Sequence, residues 1–195
     1  MNDEPSVALV DALLDAQRLG FLGSRPIPEV IEHARGFVRA LRARGNDRVI
    51  ESVLDLGSGG GVPGLIIAHD LPAVHLTLLD RRAKRTDALE RLVRRLGWQD
   101  RITVVCADVT TFVPDTPFDA VVARGFGPPE FTLTQAARLV CAGGPIVISE
   151  PPGVDRWDDQ LLAELGLRRV EAPAVASNSA GSKDLDGLVA VFVSR

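Results

Sequence analysis

Leu54-Asp55-Leu56-Gly57-Ser58-Gly59-Gly60-Gly61-Val62-Pro63-Gly64 joins a short apolar run to a helical stretch at 63–70. Its small residues let the backbone pass close to a ligand. The N–H groups at a helix start favour a carboxylate or phosphate. Outward from this junction, apolar runs recur at 53–56, 74–79, 102–106, 118–123, 146–149, 168–171 and 188–193. Helical stretches at 63–70, 83–96, 131–140 and 158–165 separate most of them. The alternation predicts an α/β fold, a mostly parallel seven-stranded sheet with helices on both faces. No helical pattern lies between the last two runs. Residues 173–187 are instead rich in Pro, Ala, Ser, Asn and Gly, so the final strand is expected to return antiparallel after a long loop.

Ahead of the glycine loop the chain reads as helix. Val30, Ala34, Phe37, Val38 and Leu41 recur at helical spacing between Pro28 and Gly45, after a shorter amphipathic piece around Leu9, Leu13 and Ala16. The expected organisation is an N-terminal helical extension over 1–50 and a ligand-binding domain over 51–195.

Composition agrees with one globular unit. The 195 residues are 46% hydrophobic and 25% charged, with a mean hydropathy of +0.13, which excludes disorder for most of the chain. No apolar run approaches the roughly 18 to 20 residues that cross a bilayer. Met1-Asn2-Asp3-Glu4-Pro5 lacks the basic end and apolar core of a signal peptide. A cytoplasmic location, with no membrane, is expected. Cys106 and Cys141 stand alone, without a CxxC pair or a histidine at ligand spacing. They read as core thiols, with no metal site.

The net charge of −4 at first argues against a nucleic-acid partner. Its distribution argues the other way. Residues 81–95 carry seven basic and two acidic side chains, residues 25–50 six and three, and the remainder sums to −12.

In an open parallel sheet the ligand lies beyond the carboxyl ends of the strands. Besides the glycine loop, the residues there are Asp80-Arg81, Ala107-Asp108-Val109, Arg124 to Pro129, and Ser149 to Gly153. Gly59, Gly61 and Gly64 satisfy the dinucleotide pattern G-x-G-x-x-G, with Asp80 as a ribose acceptor. Three acids near three successive strands suit S-adenosylmethionine better. Asp55 would face its ammonium group, backbone N–H groups its carboxylate, Asp80 its ribose hydroxyls and Asp108 its adenine amino group. Each aspartate alone also reads as a helix cap. The cofactor site therefore comprises Asp55, Gly57, Ser58, Gly59, Gly61, Gly64, Asp80, Arg81, Asp108, Val109 and Arg124.

Asp55 to Leu65, Leu79-Asp80-Arg81-Arg82-Ala83-Lys84-Arg85 with its helix to Gly97, Ala123-Arg124-Gly125-Phe126 and Gly143-Gly144 resemble the rRNA small-subunit methyltransferase G (GidB) family. The resemblance covers roughly 50–150. It implies a Rossmann-like class I methyltransferase fold, S-adenosylmethionine as cofactor, ribosomal RNA as partner and N7 of a guanine as target. The family usually carries Asn-Leu-Thr where this chain reads Gly20-Phe21-Leu22-Gly23-Ser24, and of its His-x-x-Asp-Ser only His33 is kept. Its Lys-Gly after the fifth strand is replaced by Ser149-Glu150-Pro151-Pro152-Gly153, an acid where a cation would grip RNA.

Guanine N7 has a free lone pair, so no base is needed and rate comes from alignment and a preorganised field. An oxygen nucleophile would more often want a base, for which His33, Asp108 and Glu150 are the candidates. Arg124 matches the family's arginine after the fourth strand and is the catalytic candidate. It would pair with the cofactor carboxylate, stack on a base, or form a surface salt bridge. Phe126 would stack on a flat substrate or pack in the core. Leu89, Leu92, Val93 and Leu96 form the buried stripe of their helix. Lys84, Arg91 and Arg95 then share the opposite face, as a phosphate surface or a solvated exterior. Lys84, Arg85, Phe126 and Glu150 make up the expected substrate site. Two other outcomes compete: a class I methyltransferase acting on a small molecule or protein, and a cofactor-binding module without turnover. An NAD-dependent oxidoreductase is a further alternative.

Overall fold

A computed structural model describes residues 4–45, 48–151, 156–173 and 189–194. The seven apolar runs become β1 (Ser52–Leu56), β2 (His75–Asp80), β3 (Ile102–Cys106), β4 (Ala120–Ala123), β5 (Pro145–Ser149), β6 (Leu167–Val170) and β7 (Val189–Ser194). They form one sheet in the order β3-β2-β1-β4-β5-β7-β6. The pairs β1–β2, β2–β3, β1–β4 and β4–β5 are parallel, while β7 runs antiparallel to both β5 and β6. The antiparallel return expected for the last strand is therefore present. Most of the Pro/Ser/Asn stretch before it, 174–188, lies outside the described residues.

The helices are α1 (Val7–Arg18), α2 (Ile27–Gly45), α3 (Gly64–Asp70), α4 (Ala83–Leu96), α5 (Pro129–Leu139) and α6 (Asp159–Glu164). Alternate strand residues face two cores. Val53, Leu76, Val122 and Val147 pack with α1 to α4, and Leu54, Val121, Ile146 and Ile148 with α5 and α6. Central strands covered on both faces explain why β1, β4 and β5 read as continuous apolar runs. The N-terminal helices share the first core with the sheet: Leu9, Leu13, Phe37 and Leu41 are buried in the same cluster as Val53.

Some local expectations change. Cys106 is exposed and Cys141 only partly buried, so neither is a core thiol. The reason for Cys106 is topological, because β3 is the sheet's edge strand and its burial is incomplete. Phe118 precedes β4 and meets Val140 in an isolated bridge. Leu96 is partly buried at the core's margin, where α4 ends at a left-handed Gly97.

Candidate active site

The glycine loop crosses from β1 to α3 and folds back on its own neighbours. Gly57 (φ +68°) turns the chain out of the strand, and the amides of Gly57 and Ser58 both donate to the Leu79 carbonyl at the end of β2, at 2.8 and 3.0 Å. The Gly59 amide donates to Asp80 Oδ2 at 3.0 Å, and the Gly64 amide to Asp55 Oδ2 at 3.1 Å. These loop amides therefore hold two of the three acids in place rather than pointing outward at a ligand anion. Ser58 Oγ donates to the Asp55 carbonyl at 2.9 Å and is structural in this arrangement.

Asp55 is 1% exposed, and its Oδ1 has no hydrogen-bond partner among the described residues. Burial pushes its carboxyl up to about 7, against the pull of the Gly64 amide, Ser58 and the Arg124 charge. Arg124 is held by a bond from Nε to the Val62 carbonyl at 3.2 Å. Burial lowers its guanidinium pKa while the Asp55 charge opposes that shift. A buried acid with a spare acceptor thus lies in the field of a buried cation, the charge pattern that receives an amino-acid zwitterion.

Asp80 is 5% exposed. Its Oδ1 accepts from the Arg82 amide at 2.9 Å, and Arg85 reaches Oδ2 at 3.4 Å. Asp80 therefore ties β2, the glycine loop and the start of α4 together, and a carboxylate's remaining lone pairs are still able to accept. Asp108 is exposed, and its Oδ1 accepts from the amide and hydroxyl of Thr110 at 2.9 and 2.7 Å. Those bonds hold its carboxyl below the usual range.

A cavity of about 370 Å³ lies over these strand ends, lined by Gly57, Asp80, Arg81, Arg85, Asp108, Val109 and Phe126 among others. A second, of about 920 Å³, is lined by Leu22, Gly23, Arg25, His33, Arg124, Phe126, Thr132, Glu150 and Arg156 among others. Gly125, Phe126 and Gly127 line both. The Phe126 ring lies so close to Gly57 that a Cβ there would be 2.4 Å from Cδ2, and it stacks on Phe131 with centroids 5.9 Å apart. Phe126 is thus a shared wall of the two chambers.

The basic helix face is less free than its sequence implies. Arg85 turns to Asp80, Arg94 pairs with Glu90 at 2.8 Å, and Arg95 pairs with Asp15 of α1 at 2.8 Å. Lys84 is exposed on α4 and lines neither chamber. Glu150, the acid that looked out of place for RNA, accepts from Arg156 Nε at 2.8 Å and from the Trp157 indole, and lies 3.6 Å from Arg169. Thr132 and Arg156 were not singled out by their sequence. Nothing in a helix-interior threonine, or in an arginine outside the motifs, distinguishes them before the chain is folded. Among the described residues no group of acids, histidines and cysteines is arranged to hold a metal ion, and no helix is long and apolar enough to cross a membrane.

The strand order and the site at its carboxyl edge define a Rossmann-like class I methyltransferase fold. Solved structures agree: the plantazolicin methyltransferase BpumL, in complex with a triazolic desmethylPZN analog and SAH, superposes with a TM-score of 0.63 at 13% identity over 96% of this chain and 95% of that one. A putative sarcosine dimethylglycine methyltransferase from Galdieria sulphuraria gives 0.58 at 19% identity over 71% and 62%. The chain belongs to the rRNA small subunit methyltransferase G family, GidB, which matches residues 8–150. Proteins named ribosomal RNA small subunit methyltransferase G are 37% identical in Laribacter hongkongensis, over 62% of this chain and 58% of that protein. In Alkalilimnicola ehrlichii the identity is 35%, over 65% and 58%. In Rhizorhabdus wittichii it is 39%, over 44% and 39%. The matched region thus spans 39% to 58% of these curated relatives.

Proposed function

We propose that this chain transfers the methyl group of S-adenosylmethionine to N7 of a guanine in small-subunit ribosomal RNA. The observation that carries the reading is the wall formed by Gly125, Phe126 and Gly127 between an acid-lined chamber and a larger, arginine-bearing one. A nucleoside-sized ligand on one side and a target base on the other would meet there.

The residues present fit the cofactor. Asp55 Oδ1, buried without a partner, is an acceptor for an ammonium group, Arg124 a counter-charge for a carboxylate, Asp80 an acceptor for ribose hydroxyls, and Asp108, with Val109 beside it, an acceptor and an apolar flank for adenine. Gly57, Ser58, Gly59, Gly61 and Gly64 form the loop that holds Asp55 and Asp80. Arg81 lines the same chamber. When bound, S-adenosylmethionine supplies a methyl carbon already activated by its sulfonium. The chain's own task is then alignment: Arg124 and Phe126 position the base, and no side chain has to remove a proton before N7 attacks. Lys84 adds positive charge at the rim, and Arg85 lies on the cofactor side beside Asp80. Such a substrate places the protein in the cytoplasm.

Titration calorimetry with S-adenosylmethionine and with NAD tests the cofactor, and heat with NAD alone would overturn it. Incubation with unmethylated small ribosomal subunits, followed by mass spectrometry of the RNA, tests the substrate. The expected product is 7-methylguanosine with one equivalent of S-adenosylhomocysteine. A second reading, a small-molecule or protein substrate, is favoured by one observation: Leu22 and Gly23, from the segment that departs from the family, line the larger chamber. S-adenosylhomocysteine formed in a cell extract while ribosomal RNA stays unchanged would support it. Cofactor binding with no turnover in either assay would instead support a regulatory module.

A further inference from the structure

The larger chamber contains two features that neither the cofactor nor the motif residues explain. Thr132, in α5, is 2% exposed, and its Oγ1 has no hydrogen-bond partner among the described residues. It lines the chamber. A buried hydroxyl without a partner is costly unless a ligand completes it, and a hydroxyl is able to donate or accept. The second feature is Arg156. Its Nε donates to Glu150 Oε1 at 2.8 Å and its Nη2 to the Ser149 carbonyl at 2.6 Å. Its guanidinium carbon lies 5.0 Å from the centroid of the Trp157 ring. Nη1 takes no part in these bonds. The side chain is 28% exposed, against 10% for Glu150, so the acid is inside and the cation is at the opening.

These contacts revise the meaning of Glu150. Two arginines, Arg156 and Arg169, face this one carboxylate, so the cluster carries a net positive charge rather than the negative one that the sequence suggests. Both oxygens of Glu150 are occupied, one by Arg156 and the other by the Trp157 indole. That leaves Glu150 to orient its partners rather than to meet a substrate. An arginine held along one edge, with donors left over at a cavity mouth, is preorganised for a phosphodiester.

We propose that Arg156, positioned by Glu150 and Trp157, grips an RNA phosphate next to the target nucleotide while the Thr132 hydroxyl hydrogen-bonds the nucleotide's base inside the chamber. The inference rests on the RNA reading above and adds the residues that recognise the substrate. Arg156 is a binding residue and Glu150 a positioning residue.

The test uses the full chain, S-adenosylmethionine and unmethylated small ribosomal subunits. Arg156→Gln is expected to raise KM for the subunit by about tenfold to a hundredfold, the loss of one charge-assisted bond, while kcat and the Kd for S-adenosylmethionine stay within about twofold. The slope of log affinity against log salt for a single-stranded RNA probe should become shallower by about 0.7. Arg156→Lys should restore most of that slope, and Glu150→Gln should raise KM less than Arg156→Gln does. Thr132→Val, nearly isosteric, should lower kcat/KM with the salt slope unchanged. Arg156→Gln with unaltered KM and salt slope, or an equal change in the cofactor Kd, would overturn the proposal. If the unsubstituted protein binds S-adenosylmethionine but forms no S-adenosylhomocysteine with the subunits, the RNA reading itself fails, and this inference with it.

Discussion

The Gly64 amide donates to Asp55 Oδ2 at 3.1 Å, tying the first residue of α3 to the penultimate residue of β1. This bond occupies one carboxylate oxygen and leaves Oδ1, inside the protein, without a partner. Backbone path and ligand chemistry meet in this pair: the loop must close tightly enough to reach Asp55, and Asp55 must stay available to a cation.

The closeness of that approach predicts the effect of Gly64→Ala. A Cβ at Gly64 would lie 2.4 Å from Leu78 Cδ2 and 2.7 Å from Asp55 Oδ2, so α3 has to shift off the sheet. Overpacking of this kind costs about 1 to 3 kcal/mol, and urea denaturation should show that loss together with a weaker Kd for S-adenosylmethionine. A midpoint unchanged from the parent protein would contradict the packing argument.

Asp55 should make cofactor binding pH-dependent near neutrality. Burial, the largest influence, raises its carboxyl to about 7 from an ordinary 3.8. A cationic ligand favours the ionised form, so affinity should rise with pH and level off above about 7, falling by up to about tenfold per unit below it. Stability has the opposite sign. Between the unfolded and folded values the folded chain keeps a proton that the unfolded chain has lost, so this group's contribution declines as pH rises, by at most about 1.4 kcal/mol per unit. Asp55→Asn should flatten both profiles. Arg124→Gln, which removes a charge that lowers the Asp55 value, should move the binding midpoint upward. Calorimetry across this pH range with a flat wild-type profile would rule out Asp55 as the ammonium partner.

At the opposite end of the strands, Asp119 accepts from the amides of Glu51 and Ser52 at 3.1 and 2.9 Å, from Ser52 Oγ at 2.9 Å, and pairs with Arg48 at 3.2 Å. Burial raises its carboxyl, but the Ser52 and Glu51 bonds and the Arg48 charge outweigh it and hold the value below 3.8. Its stabilisation is therefore complete above the ordinary carboxylate range and lost as pH falls through the lower folded value. Asp119→Ala should cost about 1 to 3 kcal/mol at neutral pH, since its donors lose a charged acceptor, and leave cofactor affinity unchanged. Thermal melts at pH 7 and at about pH 3 should show the difference shrinking in acid.

What the sequence makes legible is what depends on neighbours in the chain. Period and length identify the strands, Gly57 to Gly64 the loop, and the missing helix before Val189 the antiparallel return. Contacts between distant segments stay hidden. Cys106 ends an apolar run like any other, and only the sheet order reveals that β3 is an edge. Glu150 reads as an unfavourable charge until Arg156 and Arg169, from the approach to α6 and from β6, fold against it. Arg85 belongs to a basic helix face by its position, yet its long side chain reaches back to Asp80. Asp119, just ahead of an apolar run, looks like an ordinary boundary residue, although it gathers three donors from the start of β1 and the residue before it.

Asp80 serves the fold and the cofactor at once, and two substitutions separate these roles. Its carboxylate accepts from the Gly59 and Arg82 amides at 3.0 and 2.9 Å, so Asp80→Ala should lower stability and also weaken S-adenosylmethionine binding by roughly 1.5 to 3 kcal/mol for a lost charge-assisted bond. Asp80→Asn keeps one oxygen acceptor and the side-chain volume but no longer has two anionic oxygens for a pair of hydroxyls. Its melting temperature should lie closer to the parent's than that of Asp80→Ala, while its affinity still falls about tenfold. Calorimetry and thermal melts on the two variants together decide the matter. If affinity follows stability in both, Asp80 acts only by holding the loop. If affinity falls in Asp80→Asn while the melt is preserved, the carboxylate itself contacts the ribose.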